Sequence, residues 1–332
     1  MSMETARKRI TFAMHFSYST MTAHAVKQEI TDPGWTIPVA LQLGRVSNLP
    51  TVWTNTLAAI VLSGQAVSLV NFIALIIAMS LAYTGGMFLN DAFDRNIDTL
   101  ERPERPIPSK RIAAKEVFIA GFAMLLVTVM LVTAVGVQTS NALQAFVSST
   151  GLCLSIVIYN IWHKGNPISP LLMGLCRLLV YICCAMALTT ELNQWVLVGA
   201  FITMAYLIGL TYTAKQEQFG QVSTLWPLAF LAVPVVFGST YHNTGSVFVL
   251  AGVFTLSIWI LYCLRLILRR QHGDIPSAVV RLIAGISLVD GLLISIYLTS
   301  VEDTFAYVLL LMLLCYLAFG ITLLLQRYVS GT

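Results

Sequence analysis

The sequence predicts an all-α polytopic membrane protein with nine or ten transmembrane helices, and three observations carry that reading. Of the 332 residues, 57% are hydrophobic and only 10% charged, with a mean hydropathy of +0.81; soluble globular chains carry about 25% charged residues. Apolar runs of the roughly 20 residues needed to cross a bilayer recur from residue 46 to residue 326 and leave little room for a soluble domain. The lysines and arginines gather in alternate joins between those runs, as they do in loops on the cytoplasmic side of a membrane.

In chain order, residues 1–37 are polar and mixed. They lack the 7–15-residue apolar core of a secretory signal and are expected to form a flexible N-terminal leader, with 38–332 as a single transmembrane domain. Ten runs follow, at 46–64, 68–89, 115–136, 141–159, 169–188, 194–213, 224–241, 245–268, 278–299 and 304–326. The joins "SGQAVS", "VGVQTSN", "TTELNQ", "YHNTG" and "TSVEDT" contain no lysine or arginine. All 19 basic residues lie before the first run, after the tenth, or about the other joins, Lys115, Arg265 and Arg281 at the ends of runs, with Arg177 alone well inside a run, in its half nearer the basic side. Ten spans place both termini and all basic loops on one face, the cytosolic side or its organellar equivalent; nine result if two runs form one broken helix. The cysteines 153, 176, 183, 184, 263 and 315 fall in apolar stretches without CxxC spacing or nearby histidines, which reads as packing rather than as a zinc site or disulfide framework.

One stretch interrupts this pattern. "FLNDAFDRNIDTLERPERPIPSKRI", residues 88–112, brings three aspartates, two glutamates, four arginines and a lysine to the end of the second run. On a helix advancing 100° per residue, Asp91, Asp94 and Asp98 share an arc of about 60°, with Asn90 one turn below Asp94. Carboxylates held together repel, so they call for a cation or for protonation; oxygen-only donors suit Mg²⁺, which takes one or two carboxylates and fills its shell with water and substrate phosphate. The basic half of the loop, Arg102, Arg105, Lys110 and Arg111, suits phosphate oxygens. A diphosphate head on a greasy tail, as in an isoprenyl diphosphate, would match both halves. The alternative is a solvated charged loop that only sets topology.

The pattern N-D-x-x-D-x-x-x-D followed by "RPIPS" resembles the first aspartate-rich motif of the UbiA superfamily of intramembrane prenyltransferases. "LGRVSNLPTVWTN" is similar to the family's first-span entrance and "YNIWHKGNPISP" to its Tyr-to-Lys loop. The resemblance implies a helical bundle around a central cavity with cytosolic-side cap loops. It further implies Mg²⁺ held by Asn90, Asp91, Asp94 and Asp98, and a diphosphate bound by Arg45, Asn48 and Lys164, with Arg105 and Lys215 neutralising it; Arg177 is a candidate for the diphosphate or a snorkelling cytoplasmic anchor. Tyr159 and Tyr212 would be pocket aromatics, with Trp162 a further candidate. Where the family carries a second aspartate-rich motif this chain has "LTYTAKQEQFGQVST", whose only acid, Glu217, joins Asp94 as the expected catalytic pair while Lys215 stands close by. That segment resembles the EboC-like branch.

Asp290 sits mid-run, where a charge is costly and faces a cavity or partner; it either touches the acceptor or is hydrogen-bonded within the bundle. His163 is read as a base toward the acceptor or as a solvated loop histidine, and Gly85, Gly86 and Gly174 as sites of close helix approach. The expected activity is Mg²⁺-dependent transfer of a prenyl group from an isoprenyl diphosphate to an unidentified lipophilic or aromatic acceptor, in a bacterial inner membrane or a plastid membrane. Membrane lipids are partners and nucleic acid is not. The rivals are a catalytically degenerate lipid-binding or transport protein that keeps the bundle, and a cation or proton carrier with Asp290 as relay.

Overall fold

The structure, a computed structural model, describes residues 34–215, 225–241, 245–269, 271, 273–301, 303–329 and 331. The predicted leader and Glu217 fall outside the described residues, apart from the leader's last few positions. Among those described, the secondary structure is wholly helical. A short helix α1 (Ile37–Leu43) and the 3₁₀ turn η1 (Val46–Asn48) lead into α2 (Leu49–Ser63). Then come α3 (Leu69–Glu101), α4 (Ala114–Gln138), α5 (Ala142–Trp162), α6 (Ser169–Met186) and α7 (Gln194–Lys215). The 3₁₀ segment η2 (Trp226–Ala232) runs into α8 (Val233–Ser239), followed by α9 (Val247–Arg269), α10 (Asp274–Ser300) and α11 (Phe305–Leu325).

Every predicted run is helical, and eight of these helices are long and apolar enough to cross a membrane. The chain is an integral, multi-pass membrane protein. The first and seventh runs are shorter than predicted, for local reasons. Pro50 opens α2 and Gly64, at φ +68°, closes it after 15 residues, a left-handed cap that glycine adopts without penalty. In the seventh, Pro227 and Pro234 stand at the starts of η2 and α8; each lacks an N–H, so one continuous α-helix gives way to a 3₁₀ turn and a separate α segment.

Helix α3 explains where the charged stretch sits. Its 33 residues extend about 50 Å at 1.5 Å per residue, more than the roughly 30 Å hydrocarbon layer. The apolar part from Leu69 to Leu89 fills that layer and leaves Asn90 onward at its rim. Helices adjacent in sequence pack together through most of the bundle, while α10 packs against α2, α7, α8, α9 and α11. Accordingly 83% of the most apolar stretch of α10 is buried against 17% of that of α5. The outward helices expose large side chains such as Leu126, Phe146 and Leu154, as a surface solvated by lipid requires. Five of the cysteines are buried and all six are free thiols, in line with packing; the partly exposed one, Cys176, borders the cavity described below.

Small residues let α3 and α4 approach closely. A Cβ on Gly85 would lie 2.9 Å from the Gly121 carbonyl oxygen, and one on Gly121 would lie 2.8 Å from Leu89 Cγ, so neither site accepts a side chain without moving a helix. Gly85→Val is expected to lower the stability of the purified protein in detergent by about 1–3 kcal/mol, read as a fall in the thermal midpoint. Gly151→Ala, where nothing lies within 4 Å of the added Cβ, should leave the midpoint unchanged or raise it.

Candidate active site

The bundle encloses a cavity of about 680 Å³ lined from α2, α3, α5, α6, α7 and α10, within the 300–1,000 Å³ typical of small-molecule sites. One end is charged, with Asp94, Asp98, Arg45, Arg105, Lys164 and Lys215 at its wall; the other is apolar, with Val52, Met79, Leu152, Val180 and Ile286. Along α3 the step from Asn90 to Met79 is about 16 Å at 1.5 Å per residue. A polar head and an apolar tail thus find separate ends of one chamber.

Arg45 reaches the charged end because its backbone is left-handed, at φ 43° and ψ 48°. That conformation costs a non-glycine residue of order 1–3 kcal/mol and is often found at functional sites. It turns the chain from α1 into η1 and aims the guanidinium at α3. Arg45 Nη2 donates to Asp91 Oδ1 at 3.1 Å and to Asn90 Oδ1 at 3.2 Å. The loop after α3 folds back so that Arg105 Nη1 donates to Asp98 Oδ2 at 2.7 Å and Asp91 Oδ1 at 3.3 Å. Burial works against the charge of Arg105, but Asp91, Asp98 and Asp94 outweigh it and hold the guanidinium pKa above its ordinary value.

The three aspartates share a face of α3, as the spacing requires, but Asp91 and Asp98 share Arg105 while Asp94 has other partners. Asp94 turns to the loop after α5, where His163 Nε2 stands 3.2 Å and Lys164 Nζ 3.8 Å from its Oδ2. Asp98 is 1% exposed, and the Arg105 guanidinium lies between it and Asp91. Among the described residues no three His, Cys, Asp or Glu side chains gather around one point. The expectation that the three carboxylates converge on one ion is corrected to that extent, and the reason is the arginine between them. The donor set still fits a hard ion. Asn90, Asp94 and Asp98 offer oxygens to the cavity, and Mg²⁺ needs only one or two carboxylates, taking its remaining ligands from water and phosphate.

Tyr159, Asn48, Lys164, Arg177 and Lys215 all line the cavity as expected. Asn48 is engaged on every side: its Nδ2 donates to the Tyr83 hydroxyl at 3.1 Å and the Gly331 carbonyl at 2.9 Å, and its Oδ1 accepts from Gln326 Nε2 at 3.0 Å. Lys215 Nζ donates to the Asn166 carbonyl at 2.6 Å. Two pocket assignments are corrected. Tyr212 packs against the apolar core and does not line the cavity. Asp290 is fully buried behind the wall, accepting from Thr54 Oγ1 at 2.6 Å, Asn55 Nδ2 at 2.7 Å and the Tyr181 hydroxyl at 2.6 Å. Trp162 is 64% exposed, on the outer surface, and Lys110 and Arg111 also face outward, Arg111 donating to Gln42 Oε1 and the Glu104 carbonyl.

Sequence reasoning missed Asn160 as a member of the site and left His163 between a base toward the acceptor and a solvated loop histidine. Asn160 donates to the Gly86 carbonyl at 3.1 Å and accepts from Asn90 Nδ2 at 3.2 Å, which turns the Asn90 amide oxygen toward Arg45. It sits beside Tyr159 in the quoted loop, and only that adjacency pointed to it. His163 was weighed as a solvated histidine, yet it stacks on Tyr159 with centroids 4.9 Å apart and has Asp94 on one ring nitrogen and the Asn160 carbonyl 3.3 Å from the other. With both nitrogens facing oxygens, the ring is placed as a donor.

Comparison with known proteins bears on this chamber. Residues 50–286 match the UbiA prenyltransferase family. A digeranylgeranylglyceryl phosphate synthase of Ignicoccus hospitalis is 39% identical over 101 residues, 30% of this chain and 32% of the relative. A protoheme IX farnesyltransferase of Alkalihalophilus pseudofirmus is 33% identical over 122 residues, 36% of this chain and 38% of the relative. The chain thus matches about a third of the length of either relative. A UbiA homolog from Aeropyrum pernix K1, in its apo structure, has the same fold, with a TM-score of 0.58 at 14% identity over 74% of this chain and 94% of that one.

Arg105 holds two carboxylates at once. Arg105→Met is expected to cost about 1–3 kcal/mol by leaving Asp98 without its charged donor, measured as a lowered thermal midpoint in detergent.

Proposed function

The chain belongs to the UbiA prenyltransferase family, and on that footing we propose that it transfers a prenyl group from an isoprenyl diphosphate to a lipophilic or aromatic acceptor, with Mg²⁺ as cofactor. The observation that carries the reading is the two-ended cavity: carboxylates interleaved with cations at the rim, and an apolar chamber running inward from them. A carrier would concentrate its polar groups at the midplane. Asp290, the midplane acid, is closed off from the cavity and fully hydrogen-bonded, which favours the transferase.

In this reading Asn90, Asp94 and Asp98 hold Mg²⁺, with Asp91 behind them, and the ion supplies positive charge to the diphosphate oxygens. Arg45, Arg105 and Lys164, paired with the aspartates in the free protein, exchange those partners for phosphate oxygens when the donor binds. Charge grows on the leaving oxygens as the allylic carbon–oxygen bond breaks, so cations already in place stabilise the transition state more than the ground state. Lys215, fixed by the Asn166 carbonyl, adds charge on the α7 side, where the segment after it holds Glu217 as the expected second acid. Asn48 and Tyr83 border the passage from head to tail. The Tyr159 face offers the allylic cation a π surface, and the chamber keeps water from quenching it before the acceptor attacks. The basic loops and both termini lie on the cytosolic or stromal side, in a bacterial inner membrane or a plastid membrane.

The test is incubation of the purified protein with labelled geranyl, farnesyl and geranylgeranyl diphosphate, following Mg²⁺-dependent diphosphate release. Asp94→Ala should abolish release while leaving the bundle folded; release at the wild-type rate in that variant would sink the reading. Glu217→Gln is expected to lose at least about tenfold in rate, equivalent to about 1.4 kcal/mol, and an unchanged rate would point to a site served by the first motif and Lys215 alone.

A further inference from the structure

Arg177 stands apart from the other cations of the cavity. Its partners, Thr51 and Asn55, lie on α2, about 4 and 10 Å further along the helix axis than Asn48 at 1.5 Å per residue. Its guanidinium is therefore set inward from the Arg45–Asp91 pair, beside the apolar half. Nη1 donates to Asn55 Oδ1 and approaches the Thr51 carbonyl at 3.5 Å, and Nη2 donates to Thr51 Oγ1 at 3.1 Å. Among the described residues the Nε–H has no partner, and Nη2, with two hydrogens, has one. Nε and Nη2 form the side-on edge by which arginine grips a carboxylate or phosphate with parallel hydrogen bonds, and Arg177 lines the cavity.

The other edge is anchored from behind. Asn55 Nδ2 donates to both oxygens of Asp290, at 2.7 and 2.8 Å, which fixes its amide with Oδ1 toward Arg177. Asp290, 0% exposed, has no cation in contact among the described residues, and Arg177 faces it through that amide. Burying a charge in an apolar bundle is expensive and marks function more often than packing. Here the arrangement holds one guanidinium edge rigid and leaves the other open.

We propose that the open edge of Arg177, positioned by Asn55 and Asp290, is a second oxyanion subsite that takes a carboxylate or phosphate group of the prenyl acceptor, separate from the diphosphate shell at the aspartates. The inference rests on the transferase reading for the identity of that shell, and it moves Arg177 from the donor's ligands to the acceptor's. The acceptor is then an amphiphile with one anionic oxygen group.

The test uses the full chain in nanodiscs with Mg²⁺, the donor site filled by the unreactive farnesyl thiolodiphosphate. Benzoate, phenyl phosphate and neutral benzyl alcohol are titrated in turn. The wild type should bind at least one of the two anions about tenfold or more tightly than the alcohol, and which one tells carboxylate from phosphate. Arg177→Met should erase that preference while changing farnesyl thiolodiphosphate affinity less than about threefold. Asn55→Leu, with the arginine present but unanchored, should reduce it. If Arg177→Met does not fold, Arg177→Lys keeps the charge and loses the fork, and should weaken the favoured anion about threefold or more. Absence of an anion preference in the wild type, its persistence in Arg177→Met, or a tenfold loss of donor affinity there would each overturn the proposal. Failure of the wild type to bind farnesyl thiolodiphosphate would instead count against the transferase reading, because the anion titrations without it still report on Arg177.

Discussion

The carboxylates of α3 sit at the edge of an apolar bundle, and basic side chains from three other parts of the chain reach them there. Arg45 comes from the turn before α2, Arg105 from the loop after α3, and His163 with Lys164 from the loop after α5. An unpaired carboxylate in such a place would be neutralised or would unfold the site. The pairing therefore ties three loops to one helix face and shapes the mouth of the cavity. It also explains why the aspartates fan out rather than meet: Asp94 turns to the loop after α5, while the Arg105 guanidinium stands between Asp91 and Asp98.

Much of this was legible in the sequence. A bilayer demands long unbroken apolar runs, so the ten helical segments could be marked from the apolar pattern along the chain. The aspartate spacing put three acids on one helix face, and the structure keeps them there. Both shortened spans were also foreshadowed, by Pro50 and Gly64 at the ends of one and by Pro227 and Pro234 within the other, since those residues act through the local backbone.

What sequence could not supply were the contacts made across the fold. Asp290 reads as an isolated midplane charge until Thr54, Asn55 and Tyr181 are placed around it, and those partners lie 109 to 236 residues away. Arg177 is likewise uninterpretable without Thr51 and Asn55, because its depth relative to Arg45 depends on how α6 is set against α2. His163 illustrates the same limit: its neighbours in the chain suggest a solvated loop, and only Asp94 reaching across from α3 gives it a role. Tyr212 failed for a rotational reason, since on α7 a residue one position from the cavity-lining Thr211 points about 100° away.

The interleaving of charges at the cavity mouth has a kinetic side. Asp91, Asp94, Asp98 and Glu101 nearly balance Arg45, Arg102, Arg105, Lys164 and Lys215, so acidic and basic groups are closely matched at the cavity mouth itself. A purely basic mouth would draw in any anionic headgroup drifting through the leaflet and hold it by long-range attraction. Under the transferase reading, this entrance would discriminate at contact range, where a lipid must displace internal ion pairs before it is held. Capture should therefore be slow relative to steered encounters and only weakly sensitive to ionic strength, with rejection of abundant phospholipids as the gain.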